Sequence, residues 1–233
     1  MSKPIDSNKI VVFSGAGISV ESGLPTFRDS NGLWNNYSIS EVATPQAWER
    51  NPKLVLDFYN KRREQAAAAL PNKAHYAITE LEKNYEVVVI TQNVDDLHER
   101  AGSKNVIHVH GELVKSRSTI DKNLIYHISG KDIQLGDTCE KGGQLRPHIV
   151  WFGEEIHNYE LCVQNIKTAG KVLVIGTSLT VYPIAGLVKK ARYHAAKIIV
   201  SLEIEKKPFG FTFLRGTAVD IVPYIVNSWM AGR

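Results

Sequence analysis

Four short apolar runs, KIVVFSGAG, YEVVVITQN, GKVLVIGTS and AKIIVSLE, constrain the fold more than any other feature of the chain. Each is dense in Val and Ile, lacks the polar alternation of a strand with one wet face, and closes on small or polar residues. Such runs suit strands buried on both faces, which belong to a parallel sheet covered by helices. Between them, apolar residues recur at three and four in residues 72–84 (NKAHYAITELEKN) and 182–195 (YPIAGLVKKARYHA), and the spacing predicts a helix in each. The alternation predicts an α/β chain built on a Rossmann-like, doubly wound parallel sheet domain. Two stretches break it: a polar, helical one with Trp34 and Trp48, and a later one of short β-prone pieces and Gly-rich turns. These are expected to form a smaller inserted lobe, approximately residues 30–71 and 112–147, leaving approximately 8–29, 72–111 and 148–228 to the sheet lobe.

Composition narrows the function classes. In 233 residues, 28 basic side chains are spread along the chain against 24 acidic ones, with no basic run of the kind that tracks nucleic acid. No apolar run approaches the roughly 20 residues that cross a bilayer. Cys139 and Cys162 are too few for a disulfide framework, and MSKPIDSNK at the start lacks the apolar core of a signal peptide. The expectation is a cytoplasmic monomer with no direct nucleic-acid partner and no membrane partner.

Polar motifs follow the strands. After the first, GAGISVESGLPTFRD places Gly15 and Gly17 where backbone can approach a phosphate, but its third glycine, Gly23, is out of register for GxGxxG. A loop that folds over its ligand fits better, although a plain strand-to-helix turn gives a similar pattern. TQNVDDLHERAG puts Gln92, Asn93 and Asp95 at the carboxyl end of a strand, where open α/β sheets bind ligands. An Asx-type helix cap near Asp95 would explain one of these residues, not all three. In HVHGEL, β-alternation points His108 and His110 to one face; a neutral imidazole is a natural proton acceptor, and metal ligation or satisfied core packing are equally open readings. GTSLTVYPIAG repeats the strand, turn and helix pattern, and two such turns in one sheet fit a dinucleotide.

Four blocks in fixed order, GAGISVESGLPTFR, TQNVDDLHERAG, HVHGEL and VWFGE, together resemble the sirtuin family of NAD-dependent protein deacylases, over essentially the whole chain from Val11 to about Val222. The resemblance implies an NAD loop of Gly15, Ala16, Gly17, Ser19 and Glu21, continuing through Thr26, Phe27, Arg28 and Trp34. It implies that Gln92 and Asn93 meet the nicotinamide ribose and Asp95 the carboxamide, and that Gly176, Thr177, Ser178, Leu202, Glu203 and Ala218 hold the adenosine end. His110 matches the family's general base, with Asn93 beside it in the catalytic set. Val150, Trp151 and Phe152 would flank the acyl-lysine while adjacent backbone pairs with the substrate peptide as an added strand. The implied products are nicotinamide, free lysine and an O-acyl-ADP-ribose.

The chain departs from the family pattern in two places. Sirtuins usually carry two Cys pairs for a structural zinc, whereas here Ser118 stands where the first Cys is expected and only Cys139 follows. Tetrahedral zinc wants four ligands. His127 and His148 lack the spacing to complete a set, so zinc is not expected, and Leu124, Ile125, Tyr126 and Ile128 are expected to hold the lobe by apolar contacts. Ser201 also replaces the usual Asn of the last strand motif, and the Pro expected after FGE is absent.

In EVATPQAWERNPKLVLDFYNKRR, Ala43, Tyr59 and Arg62 have the spacing of the desuccinylase-like, class III branch. A guanidinium fork and a phenol can together hold the carboxylate of a succinyl or malonyl chain, and a small Ala43 leaves room for it. Without the family context, the preferred reading is that Arg62 is one of several solvated charges beside Lys61 and Arg63 and that Tyr59 is core packing. The expected activity is removal of acidic acyl groups and of acetyl from lysines of proteins or peptides. An ADP-ribosyltransferase or NAD hydrolase on the same scaffold, or a non-catalytic NAD sensor, is the alternative.

Overall fold

The Val- and Ile-rich runs become neighbouring strands of one sheet. The computed structural model describes residues 4–26, 33–34 and 37–233. In chain order its elements are strands β1 (Asp6–Ser14), β2 (Leu33–Trp34) and β3 (Tyr37–Ser38), then helices α1 (Ile39–Val42), α2 (Pro45–Arg50), α3 (Pro52–Ala68) and α4 (Lys73–Leu81). β4 (Glu86–Thr91), α5 (Leu97–Ala101), β5 (Val106–His108), β6 (Gly111–Ser118), β7 (Ile125–His127) and β8 (Leu145–Ile149) follow. The chain ends with α6 (Tyr159–Thr168), β9 (Ala169–Ile175), β10 (Ala196–Ser201), β11 (Thr212–Arg215) and α7 (Ala218–Met230).

Six strands pair in the order β11-β10-β9-β1-β4-β5, every pairing parallel. The chain runs outward from β1 through β4 to β5, then crosses back to β9 on the other side of β1. At such a switch point the loops after neighbouring strands part, and an open sheet gains a crevice at its carboxyl edge. The period of two sends Val11, Phe13, Val88, Ile90, Val172 and Val174 to one face, under α6 and a 3-10 turn at Ile184–Lys190. Ile10, Val12, Val87, Val89, Leu173 and Ile175 go to the other, under α4 and α7. Burying one such side chain is worth about 1.5–3 kcal/mol, which makes the sheet the rigid platform for the loops above it.

A third apolar cluster joins α1, α2 and α3 to β6, β8 and the segment after it, through Val42, Ala47, Val55, Phe58, Leu113, Ile149 and Trp151. Asn51 caps α3 by accepting from the Leu54 N–H, with Pro52 in the first turn where its missing donor costs nothing. Arg63 on α3 is 2% exposed; its Nε donates to the Leu113 carbonyl at 2.7 Å and its Nη1 to Asn60 Oδ1 at 2.7 Å, fastening the helix to β6.

Two expectations change. Residues 182–195 form only the short 3-10 turn, not an α-helix. Gly186 within it weakens a helix, and burial of Ile184, Ala185, Leu187 and Val188 is reached without one. Nor do Leu124, Ile125, Tyr126 and Ile128 form an apolar core: Ile125 is 44% exposed and the others only half-buried, because β7 is a three-residue edge strand. Polar ties close that lobe instead. Cys139 Sγ donates to Ser118 Oγ at 3.2 Å, Lys141 pairs with Asp121 at 2.7 Å, and the Tyr126 hydroxyl donates to Glu140. At the expected zinc position Cys139 faces the Ser118 hydroxyl, a donor set with one thiol that does not fit a tetrahedral zinc, and among the described residues no group of three or more His, Cys, Asp or Glu is placed to hold a metal ion. No described helix is long and apolar enough to cross a membrane.

Candidate functional site

The loops after β1, β4 and β9 meet above the switch point and open into a cavity of ≈ 580 Å³ that continues to α3 and the segment after β8. Gly15 N–H donates to the Ile175 carbonyl at 3.0 Å and Gly17 N–H to the Gly176 carbonyl at 2.8 Å, knitting the first loop to the last. A Cβ on Gly17 would lie 2.7 Å from Gly176 Cα, and Gly176 itself has φ 60°. These glycines are therefore demanded first by the contact of two backbones, which brings both ligand loops to one place.

Gln92, Asn93 and Asp95 leave the end of β4 with distinct tasks. Gln92 Oε1 accepts from Thr177 Oγ1 at 2.8 Å, bridging the crevice floor and leaving the amide Nε2 for a ligand. Asn93 is 5% exposed; its Nδ2 donates to Ser19 Oγ at 3.1 Å, while its Oδ1 is buried with no hydrogen-bond partner. An orphaned acceptor in a cavity costs about 1–3 kcal/mol until a donor arrives, and a ribose hydroxyl is such a donor. Asp95 accepts from Ser19 Oγ at 3.2 Å and from the Leu97 N–H at 3.2 Å, so the cap reading holds for this residue in part. Burial raises its carboxyl above the usual range, against those two bonds.

The two histidines of HVHGEL do different things. Both rings turn toward the same loop: His108 Nδ1 lies 2.9 Å from the Asn93 carbonyl and His110 Nδ1 lies 3.1 Å from the Gln92 carbonyl. Only His110 lines the cavity. A carbonyl can only accept, so the His110 proton sits on Nδ1 and the lone pair on Nε2. Burial lowers its pKa, the Gln92 carbonyl opposes this, and His157 reinforces it, so the ring is neutral near pH 7 and able to take a proton.

The segment Val150, Trp151, Phe152 is strapped on both sides. Val150 N–H donates to the His110 carbonyl at 2.9 Å and Phe152 N–H to the Ala43 carbonyl at 3.0 Å. Glu154 then accepts from Trp151 N–H at 2.8 Å, from Arg146 Nη1 at 2.7 Å and from Arg117 Nη2 at 2.8 Å. The Arg146 guanidinium lies over the Trp151 ring. Across the cavity, α3 presents Tyr59 and Arg62 with Ala43 between helix and strap. Tyr59 is 1% exposed, and burial pushes its hydroxyl up to about 12. Burial likewise pushes the Arg62 guanidinium down to about 10, with Tyr59 and Asp95 acting in the opposite sense. A buried cation of this kind gains from an incoming carboxylate.

Gly15, Ala16, Gly17, Ser19, Glu21 and Thr26 line the cavity from the loop after β1, and Gly176, Thr177, Ser178, Leu202, Glu203 and Ala218 line it from the β9, β10 and α7 side. Phe27 and Arg28, and the side chain of Trp34, lie outside the described residues. Sequence reading passed over Gln65, which lines the cavity one turn beyond Arg62, although the i, i+3 spacing of Arg62 and Gln65 carries that signal. It also missed the Arg146 and Arg117 partners of Glu154, which no local pattern announces.

A family model described as "Sir2 family" matches residues 15–183. A curated NAD-dependent protein deacylase of Helicobacter pylori is 54% identical over 186 residues, 80% of this chain and 79% of that protein. One of Leishmania major is 46% identical over 234 residues, 94% of each. Among solved structures, a Sir2 homologue in complex with NAD has a TM-score of 0.85 at 39% identity, covering 96% of this chain and 90% of that one. A Sir2 structure holding a deacetylated p53 peptide and 3′-O-acetyl-ADP-ribose has a TM-score of 0.76 at 30% identity, covering 94% and 92%.

Proposed function

The chain belongs to the Sir2 family and is an NAD-dependent protein deacylase, and from that premise we propose that it prefers lysines carrying succinyl or malonyl groups, with acetyl-lysine as a second substrate. One observation carries the acyl preference: Tyr59 and Arg62, side by side on α3, line the same cavity as His110, together with the small Ala43 that follows α1. A guanidinium fork beside a phenol matches a terminal carboxylate, and burial favours a neutralising anion there.

The residues present fit NAD. The orphaned Asn93 Oδ1 and the Gln92 amide suit ribose hydroxyls, and the Gly15 to Gly17 and Gly176 to Ser178 loops suit the diphosphate and adenosine. Ser19, Glu21 and Thr26 extend the first loop, while Leu202, Glu203 and Ala218 close the adenosine end. Bound NAD supplies the ribose carbon from which nicotinamide departs and the hydroxyl that receives the acyl group. His110 accepts that hydroxyl's proton at Nε2, its Nδ1 proton being committed to the Gln92 carbonyl. Val150, Trp151 and Phe152 hold the acyl-lysine stem against Tyr59 and exclude water. We further propose a cytoplasmic monomer acting on acylated proteins or peptides, without nucleic-acid or membrane partners; the two free cysteines suit a reducing compartment and the dispersed charge suits a partner other than nucleic acid.

Turnover of succinyl- and acetyl-lysine peptides by wild type and Arg62→Met tests the preference. Loss of one charge-assisted contact worth about 1.5–3 kcal/mol lowers succinyl kcat/KM by about 10- to 150-fold, while acetyl turnover stays within about threefold. Equal succinyl turnover by the two proteins refutes the carboxylate clamp.

A further inference from the structure

His108 ends β5, pairs in register with Thr91 of β4, and is 8% exposed. It does not line the cavity, yet it touches the loop that does. Its Nδ1 faces the Asn93 carbonyl at 2.9 Å and its Nε2 faces Glu99 Oε1 of α5 at 2.8 Å. Both partners are acceptors, so both ring nitrogens carry protons, and the ring is an imidazolium held against a carboxylate. Asn93 is held from below as well, its N–H donating to Thr91 Oγ1 at 3.1 Å.

We infer that the His108–Glu99 ion pair is a positioning device for the reaction, fixing the Asn93 carbonyl and through it the Asn93 side chain and the adjoining Gln92 carbonyl that orients His110. The inference rests on the deacylase reading above. It gives HVHG two histidines of opposite charge state: a neutral one that meets the substrate and a charged one that holds the loop in place.

The surrounding charges agree. Burial opposes charge on His108, but the hydrogen bond and charge of Glu99, with Glu112 and the Asn93 carbonyl, outweigh it and hold the ring above the ordinary histidine value. Glu112 of β6 is itself paired with Lys115, which also acts on Glu99. Asp95 faces His108 from the same loop, and His98 of α5 is kept neutral by burial. Loss of the His108 proton sets a lone pair against the Glu99 carboxylate at 2.8 Å, and the ring must move and release the Asn93 carbonyl.

The test is the pH dependence of kcat for the full chain with NAD and an acyl-lysine peptide. Wild type loses activity on the alkaline side as His108 deprotonates. Glu99→Gln abolishes that limb, because its carboxamide can donate to the neutral Nε2 and keep Nδ1 on the Asn93 carbonyl; the acid limb, set by His110, stays in place. His108→Phe removes the donor and lowers kcat by about tenfold or more with the acyl-peptide KM within about twofold, and His108→Asn, whose amide can stand in for Nδ1, restores most of it. A Glu99→Gln profile that superimposes on wild type, a wild-type profile with no alkaline limb, or a loss in His108→Phe that matches its lost folded fraction overturns the inference. Wild type with no peptide-dependent nicotinamide release refutes the deacylase reading instead.

Discussion

Mild acid should destabilise this protein through its buried histidines, well above the pH at which most carboxylates titrate. His75 on α4 is 0% exposed, accepts from the Asn72 N–H at Nδ1 at 3.3 Å, and keeps Nε2 buried with no partner. Burial lowers it from 6.5 to about 4, and adding a proton would also break its bond to Asn72. His148 on β8, stacked on His157 at 4.9 Å, falls to about 3, with burial first and His157 and Arg117 next among the causes. Because the folded values lie below the unfolded one, the unfolded chain binds the proton first. Stability is therefore full above about pH 6.5 and falls until the pH passes each folded value. With one unit worth about 1.4 kcal/mol, each ring costs about 2 kcal/mol at pH 5, and the pair costs about 4 kcal/mol, a large part of an ordinary domain's stability. Urea unfolding at pH 7.5 and pH 5.0, followed by far-UV circular dichroism at fixed salt, measures the loss. His75→Gln should lose about 2 kcal/mol less than wild type between those pH values. The carboxyl of Asp95, raised by burial, and the His108 ring, raised by Glu99, work in the opposite sense, and the difference between the two proteins cancels both. An equal loss in both proteins refutes the assignment of His75 as a neutral group whose protonation opposes folding.

Two further outcomes follow from contacts already described. Gly17→Ala places a Cβ 2.7 Å from Gly176 Cα and 2.8 Å from its carbonyl oxygen, where only backbone can yield; it should cost about 1–3 kcal/mol and weaken NAD binding by about tenfold or more in calorimetry, whereas NAD affinity equal to wild type would contradict the loop contact. Glu154→Gln leaves Arg146 and Arg117 facing each other without their shared carboxylate; with Glu154 22% exposed, the loss should sit toward the lower end of the ~3–5 kcal/mol for a broken buried pair. The neighbouring exposed Glu155→Gln, within about 0.5 kcal/mol of wild type, is its control in the same urea experiment.

Period and composition alone determined the parallel sheet, since a strand buried on both faces cannot be written with any other kind of residue. The same holds for the polar motifs at the strand ends, which are local in sequence because the turn that presents them is local. What residue type and period could not separate was His108 from His110, or Arg62 from Arg63, and only the family resemblance singled out His110 and Arg62: each pair shares its residue type and its neighbourhood, and alternation placed both histidines on one face. Tertiary contacts separated them. Glu99 and the Asn93 carbonyl made His108 a charged ring behind the site, and the Gln92 carbonyl left His110 neutral within it. The Leu113 carbonyl tied Arg63 to β6, while Arg62 turned into the cavity. The glycine loops divide in the same way: their positions were legible, but the reason for them was a second loop some 160 residues away in the chain. Charge state and close approach depend on groups brought together from distant segments, and only the folded chain sets those distances.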